Sequence, residues 1–429
     1  MPSKCNIKRT GGNIMSQEHL KENVKITSGN KVAAWSARYA RVQVISAYPI
    51  TPQTTIVEKL SDFVDSDNWN CEYVRVESEH SVMGFLVGAS FAGTRTFSAT
   101  SGQGLFYMNE MLHWAPPSRL PIVLGIANRG VAPGWNIWAD HQDVVASRDT
   151  GWLVLFASSH QDIFDSIIQA YRIAEDPKVF LPVMVCLEGF QLTHTNEPVY
   201  FPDQSLVDEF LLDLPKNGWP HTFLDPDRPI TFGSLQIPGG EKATPSSMYF
   251  EFRAKIDQAQ NNAKSVIKKS AKEFKKIFGR DVGGLIKKYK CEDAESVLIC
   301  QGNIARQAKI AVDRMRADGY KVGCVKLRAY KPFPSEEFRE MANNGIEGFG
   351  VMERSMAFSL NGGATVVDLK STLYDMDKRP YIVPFVAGVG GRDITVDDQY
   401  DCLKRVTNVV KNKERDVNAE YVNFHGRYP

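Results

Sequence analysis

The sequence predicts an α/β protein of two parallel-sheet units, and three observations predict it. Short, almost unbroken apolar runs alternate with longer segments of helical period from about residue 27 to 188. The alternation restarts near 296 and continues to about 411. Between them lies a stretch rich in Pro and Gly, followed by a long basic helical segment. Apolar runs without alternation belong to strands covered on both faces, which is how parallel sheets are buried.

In the first unit the strand runs are VQVISAY, CEYVRV, TRTFSAT, LPIVLGIAN, GWLVLFAS and FLPVMVCLEG. The segments TPQTTIVEKLSDFV, SEHSVMGFLVGASFAG, GQGLFYMNEMLHWA and SSHQDIFDSIIQAYRIAED repeat apolar residues at three and four, so they read as the crossover helices. From about 195 to 250 the pattern breaks into NEPVYFPDQ, LPKNGWPHTFLDPDRP and QIPGGEKATP, a long connection between units.

A helix is expected from about Met248 to Phe278, with Ile256, Ala259, Ala263, Val266, Ile267, Ala271, Phe274, Ile277 and Phe278 on one stripe. Its other face carries Lys264, Lys268, Lys269, Lys272, Lys275 and Lys276, either a solvated face or a docking patch for an acidic partner. The second unit has strands near SVLICQG, YKVGCVKL, GFGVMER and YIVPFVAG, with helices near IARQAKIAVDRMRA and DDQYDCLKRVTNVV. The division expected is an extension over 1–24, a first unit over 25–194, a linker with the basic helix over 195–290, a second unit over 291–415 and a tail over 416–429. Met15 is an alternative start, which would leave the preceding residues as a disordered extension.

Composition narrows the function classes. A chain of 429 residues exceeds what one core serves, which agrees with two units. Lys+Arg 51 against Asp+Glu 50 leaves +1, giving no global attraction to nucleic acid or anionic lipid. No apolar run reaches the roughly 20 residues of a membrane span. Seven scattered cysteines form no CxxC and no zinc or iron–sulfur spacing. With no secretory pattern at the start, the expected compartment is the reducing cytoplasm.

Three blocks carry chemistry. AYPITPQT, residues 47–54, is a strand end turned by two prolines, which hold Tyr48, Pro49 and Thr51 at the carboxyl edge where α/β proteins place ligand groups. Read locally, it is a stiffened turn with Thr54 capping the next helix. Residues 74–105 deliver Glu77 and Glu79 to a helix start, then end a strand at Thr100-Ser101-Gly102-Gln103-Gly104. Local physics alone makes Glu79 a first-turn glutamate behind an N-cap Ser78. The Gly102–Gly104 string lacks both GxGxxG spacing and a P-loop lysine. In residues 125–152, Arg129 leaves a buried strand and enters the loop GVAPGWNIW; its bland role is an ion pair with Asp140. Asp140, His141 and Asp143 supply one histidine among them and read as helix-start residues, so no metal site is assigned.

These blocks, in this order, resemble the α subunit of pyruvate:ferredoxin oxidoreductase and its 2-oxoacid relatives over about 25–410, and KLRAYKPFP, VMERSMAFSLNGG and GVGGRDI fit that family's second domain. The resemblance implies a pyrimidine-type thiamine-diphosphate domain followed by a transketolase C-terminal-like domain. It places Glu79 as the carboxylate that accepts from the aminopyrimidine ring nitrogen, with Glu77 as the register neighbour. Thr51 becomes the hydroxyl toward the substrate's 2-oxo or carboxylate oxygen, and Arg129 the substrate-carboxylate arginine. Tyr48, Pro49, Ser101, Gly102 and Gln103 line the cofactor.

The implied reaction is coenzyme-A-dependent oxidative decarboxylation of a 2-oxoacid, pyruvate first, with phenylglyoxylate or a branched-chain acid as other candidates. The implied partners are a β subunit holding diphosphate and Mg²⁺, a γ subunit and a ferredoxin-like δ subunit. Iron–sulfur (4Fe–4S) clusters on these partners pass electrons to ferredoxin or another acceptor. The competing readings are a non-oxidative thiamine transferase component and a non-catalytic scaffold.

Overall fold

The computed structural model describes residues 23–66, 69–211, 224 and 245–426. Cys5, Met15, nearly all of the expected N-terminal extension, most of the Pro/Gly stretch and the last three residues lie outside them.

The first unit opens with β1 (Val24–Ser28), α1 (Gly29–Tyr39), β2 (Val44–Ala47), α2 (Thr54–Ser66), β3 (Glu72–Arg75), α3 (Glu79–Phe91) and β4 (Thr96–Thr100). It continues through α4 (Gln103–Tyr107), α5 (Asn109–Trp114), β5 (Val123–Asn128), α6 (Gln142–Ala146), β6 (Leu153–Phe156), α7 (His160–Ala174), β7 (Val183–Glu188), β8 (Asn196–Tyr200) and α8 (Gln204–Phe210). Then follow α9 (Pro245–Phe278), β9 (Ile286–Tyr289), β10 (Ser296–Cys300), α10 (Ile304–Ala317), β11 (Val322–Leu327), β12 (Ala329–Lys331) and α11 (Ser335–Asn343). The chain finishes with β13 (Gly348–Glu353), α12 (Ala364–Leu373), β14 (Tyr381–Val386), a 3₁₀ turn (Val389–Gly391), α13 (Val396–Asn412) and β15 (Glu420–Tyr421).

Two large sheets carry the architecture. The first has the order β12-β6-β7-β5-β4-β2-β3, parallel apart from β12, which pairs antiparallel with β6. Its strands β2, β4, β5, β6 and β7 are buried at every position, which is why they carry no polar alternation; β3 is the edge and is half-exposed. The second has the order β15-β14-β13-β10-β11-β9, parallel except for β9.

All six strand runs read in the first unit and all four in the second are present. The edge strands β12 and β15 escaped the reading because they are three and two residues long, and β9 because its IKKY carries two lysines where a buried run would be apolar. The segment read as a connection after 195 contains β8, which pairs antiparallel with β1, and α8.

One apolar core lies between the first sheet and α1, α7 and α9; Ile256, Ala263, Ile267 and Phe274 of the α9 stripe are buried in it. A second core runs without a break from α3 and β5 of the first unit to β10, β13 and α12 of the second, so the two units share one interior. The third packs α10 and α13 on the far face of the second sheet. On α9 the lysines meet acids of this same chain: Lys264 with Glu336 at 2.9 Å and Lys268 with Glu337 at 2.6 Å. Lys269 and Lys275 reach Glu273 and Asp281 at 3.7 and 3.8 Å. No described helix is long and apolar enough to cross a membrane.

A buried polar joint ties the units together where strands of both sheets end. Glu188, the last residue of β7, accepts from Arg354 Nε at 3.0 Å and from the Asn303 backbone N–H at 2.6 Å. His141 Nε2 lies 3.2 Å away. Burial raises the Glu188 carboxyl, but Arg354 and these donors outweigh it and hold the pKa below the ordinary value. Gly302 sits so close that an added Cβ would stand 2.5 Å from the Glu188 carboxylate.

Candidate active site

The carboxyl ends of β2, β3, β4 and β5 bring the sequence-predicted residues together. Ser78 has extended dihedrals and its hydroxyl accepts from Ser81 N–H at 3.3 Å, so it caps α3 and fixes Glu79 in the first turn. Glu79 is 6% exposed. Its carboxylate faces the start of α4: a Cβ on Gly104 would lie 2.5 Å from both Glu79 Oε1 and Thr100 Oγ1, so only glycine lets that backbone approach. Burial pushes the Glu79 carboxyl above its ordinary value, opposed by the local backbone N–H and by Arg129. Glu77, two residues earlier, is exposed and bonds the Ser81 hydroxyl, which holds its carboxyl below the usual range. The two carboxylates of the turn therefore occupy different environments: Glu77 lies exposed before the Ser78 cap, whereas Glu79 opens the helix and is buried against the start of α4.

Arg129, also 6% exposed, follows the end of β5. Its Nη1 donates to the Thr51 carbonyl at 2.8 Å and its Nη2 to Gln103 Oε1 at 3.1 Å. The guanidinium thus spans the proline turn and the start of α4. The ion pair with Asp140 weighed above does not form: the Asp140 carboxylate accepts from Gln142 N–H at 2.7 Å, and the acids acting on Arg129 are Asp143 and Glu79. Thr51 is exposed beside the buried Pro52 and Gln53, and Gln53 Nε2 donates to the Tyr48 carbonyl at 2.7 Å. Gly102 takes φ +48°, and a Cβ there would stand 2.6 Å from Arg129 Nε.

Asp143 stands in the first turn of α6, the helix-start carboxylate expected from the sequence, but its role in joining two loops of the site was not foreseen. Completely buried, it accepts from Asn128 Nδ2 at 2.8 Å and Val144 N–H at 2.7 Å through Oδ1. Through Oδ2 it accepts from Gly102 N–H at 3.1 Å and Arg129 N–H at 3.2 Å. One carboxylate therefore holds the α4 loop and the Arg129 loop in register. Burial raises its pKa, and Asn128 leads the hydrogen bonds that oppose this. The available signal was a polar Asn128 ending an apolar strand, which needs a buried partner.

At the end of β4 and the start of α4, beside Glu79, the buried Thr100 Oγ1 has no hydrogen-bond partner, and neither do Ser101 Oγ and Gln103 Nε2 of the same turn. Buried hydroxyl and amide groups are almost always satisfied, so this cluster suits a polar ligand. The close approach of Gly104 holds the buried Glu79 carboxylate beside these partnerless groups, a donor and acceptor set that suits a nitrogen heterocycle. Among the described residues no group of three His, Cys, Asp or Glu is arranged to hold a metal ion.

A family model described as the thiamine-diphosphate-binding domain of pyruvate flavodoxin/ferredoxin oxidoreductase matches residues 36–272. A second, for core domain II of pyruvate:ferredoxin oxidoreductase, matches residues 294–399. The chain is 43% identical over 395 residues to pyruvate synthase subunit PorA of Methanocaldococcus jannaschii, covering 92% of this chain and 96% of that one. It is equally 43% identical, over 397 residues, to ketoisovalerate oxidoreductase subunit VorA of Pyrococcus horikoshii, covering 92% and 97%. Among solved structures, 2-oxoglutarate:ferredoxin oxidoreductase from Magnetococcus marinus aligns with a TM-score of 0.68 at 19% identity, covering 92% of this chain and 66% of that one. A split-gene transketolase, an inactive β4 tetramer, aligns at 0.51 and 12%, covering 89% and 96%. At such identities these two structures speak to the fold alone.

Proposed function

The chain belongs to the pyruvate:ferredoxin oxidoreductase family as an α-type subunit of a 2-oxoacid oxidoreductase, and from that premise we propose that it supplies the pyrimidine-side half of a thiamine-diphosphate site acting on pyruvate. The observation that carries this reading is the buried Glu79 carboxylate, packed against the Gly104 backbone beside partnerless polar groups and within the field of Arg129.

When bound, thiamine diphosphate supplies the nucleophilic carbon and the electron sink that decarboxylation of a 2-oxoacid requires. The chain's own residues bind, orient and manage one proton. Glu79, desolvated and fixed by the Ser78 cap, would accept a hydrogen bond from the protonated ring nitrogen of the aminopyrimidine, and its raised affinity for a proton suits that exchange. Arg129 has five N–H donors, of which the Thr51 carbonyl and Gln103 amide take one each from Nη1 and Nη2. The remaining N–H on each nitrogen is left for the substrate carboxylate, a geometry in which a planar guanidinium outperforms lysine. The Thr51 hydroxyl is exposed on the same turn and donates to a substrate oxygen. Tyr48, Pro49, Ser101, Gly102 and Gln103 form the surrounding wall.

The other half of the site comes from a β subunit with Mg²⁺, and γ and δ subunits carry the iron–sulfur clusters, in a cytoplasmic complex that uses coenzyme A and ferredoxin. Helix α3 supports a partner at this edge: beyond its polar first turn it is apolar or small at nearly every position, and its outer face leaves Phe85 39% exposed between the open Gly84 and Gly88. Tyr107 and Trp114 are exposed on the neighbouring helices. The units over 25–194 and 291–415 are read as the pyrimidine-type and transketolase C-terminal-like domains. The equal identity to VorA supports a second reading, in which the substrate is a branched-chain 2-oxoacid.

The deciding experiment is a 2-oxoacid panel on the complex purified through this chain, following coenzyme-A-dependent viologen reduction without oxygen. Pyruvate is expected to lead, with Glu79→Gln lowering kcat by about 100-fold or more, as expected for losing a proton-transfer group. Preference for a branched-chain acid moves the substrate to the second reading. Full activity in the Glu79→Gln complex overturns the catalytic assignment.

A further inference from the structure

The string GVGG over 388–391 belongs to the second unit, yet its Gly390 and Gly391 lie against the loop that begins at Arg129. That loop is closed at its base by Gly130 N–H donating to the Trp138 carbonyl at 3.0 Å. Its far end is tied across the units. Asn136 Oδ1 accepts from Trp138 N–H at 2.7 Å while its Nδ2 donates to the Gly390 carbonyl at 3.1 Å. The Gly391 N–H donates to the Ala139 carbonyl at 2.8 Å, and His141 N–H to the Arg354 carbonyl at 2.9 Å. Arg354 in turn donates from Nη1 to the Gly388 carbonyl at 2.6 Å.

Glycine is required at this turn for two reasons. Gly388, Gly390 and Gly391 hold φ of +71°, +64° and +79°, where a side chain is strained. A Cβ on Gly390 would stand 2.7 Å from Asn136 Nδ2, and one on Gly391 would collide with Trp138. The Trp138 ring packs at 4.5 Å on Phe190, whereas Trp135, at the loop's crest, is 76% exposed. Both ends of the loop are thus fixed, one by Asp143 at Arg129 and the other by a turn from a different unit.

We infer that the Gly388–Gly391 turn is a specificity-setting element for the 2-oxoacid: by holding residues 136–139 it fixes the room beside Arg129 that the substrate's side chain must fill. The inference rests on Arg129 binding the substrate carboxylate. Asn136, Gly390 and Gly391 are positioning residues in this scheme, acting through the loop without touching the reacting atoms.

The test compares kcat/KM for pyruvate and 3-methyl-2-oxobutanoate in complexes carrying Asn136→Ala, Gly391→Ala, Gly319→Ala or Arg129→Met. Gly319 has φ +88° in the same unit with nothing near its Cβ position, so its variant carries backbone strain without the loop contact. Freeing the loop with Asn136→Ala should move the ratio toward the branched acid by about 5-fold or more, within reach of the ~10–200-fold that one methylene commands in a fixed pocket. The change should appear in KM, with Gly391→Ala shifting the ratio the same way and Gly319→Ala leaving it unchanged. A folded Asn136→Ala complex with the wild-type ratio, or an equal shift in Gly319→Ala, overturns the inference while Arg129 stands. An Arg129→Met complex with unchanged KM for both acids removes Arg129 from the substrate and the inference with it.

Discussion

Replacing Asp143 by asparagine keeps the shape of the side chain and removes half of its accepting capacity. The carboxylate serves two pairs of N–H donors, Asn128 and Val144 on Oδ1 and Gly102 and Arg129 on Oδ2. An amide can keep only one pair and must turn its NH₂ against the other. The Oδ1 contacts, at 2.7 and 2.8 Å, are shorter than the 3.1 and 3.2 Å of Oδ2, so the amide nitrogen will face Gly102 and Arg129. Two charge-assisted bonds at about 1.5–3 kcal/mol each are then lost, partly offset by no longer burying a charge, for a net of about 2–4 kcal/mol. Because the lost bonds hold the α4 loop and the Arg129 backbone, the cost should fall on substrate engagement. KM for the preferred 2-oxoacid should rise about 30-fold or more, at roughly 1.4 kcal/mol per tenfold. Viologen reduction by the complex gives KM and kcat, and a thermal melt gives Tm. An Asp143→Asn complex with wild-type KM and Tm would refute the argument, since four donors cannot be left half-served without consequence.

Three further outcomes follow from the same geometry. Gly104→Ala places a methyl 2.5 Å from Glu79 Oε1 and Thr100 Oγ1, so turnover should fall about 100-fold through displacement of the carboxylate; wild-type kcat would show that Glu79 has no fixed role. Arg354→Met leaves the buried Glu188 without its counter-ion and should destabilise the chain by about 3–5 kcal/mol in denaturant titrations; an unchanged midpoint would mean the joint between the units contributes nothing. Burial raises the Asp140 carboxyl from 3.8 to about 6, so its ionised form is disfavoured in the folded state and stability falls as pH rises from about 4 through 6. At ~1.4 kcal/mol per pH unit the ionised form costs up to about 3 kcal/mol. Asp140→Asn should therefore be more stable than wild type at pH 7.5, with the gap closing by pH 4.5; a gap that widens on acidification reverses the sign and defeats the assignment.

The α/β class, the succession of buried strands, the helical stripe of α9 and the three blocks that hold Thr51, Glu79 and Arg129 can be read along the chain. These features are local: apolar continuity reports two-sided burial, the period of the stripe reports the helix, and prolines, a capping serine and a glycine-rich loop report turns at strand ends. Packing across the fold settles that Glu79 faces inward and Glu77 outward, that Arg129 spans the Thr51 carbonyl and Gln103 in place of pairing with Asp140, and that Asp143 joins two loops. It alone showed that β12 of the second unit completes the first sheet, and that the Gly388–Gly391 turn grips the loop after Arg129 from some 250 residues away. The physical reason is that burial and hydrogen-bond partnership depend on what packs opposite a residue. Asn128, Asp143 and Glu188 are ordinary polar residues in a string of letters. They become organising centres only where strands distant in sequence end side by side and leave each carboxylate one set of donors to accept from.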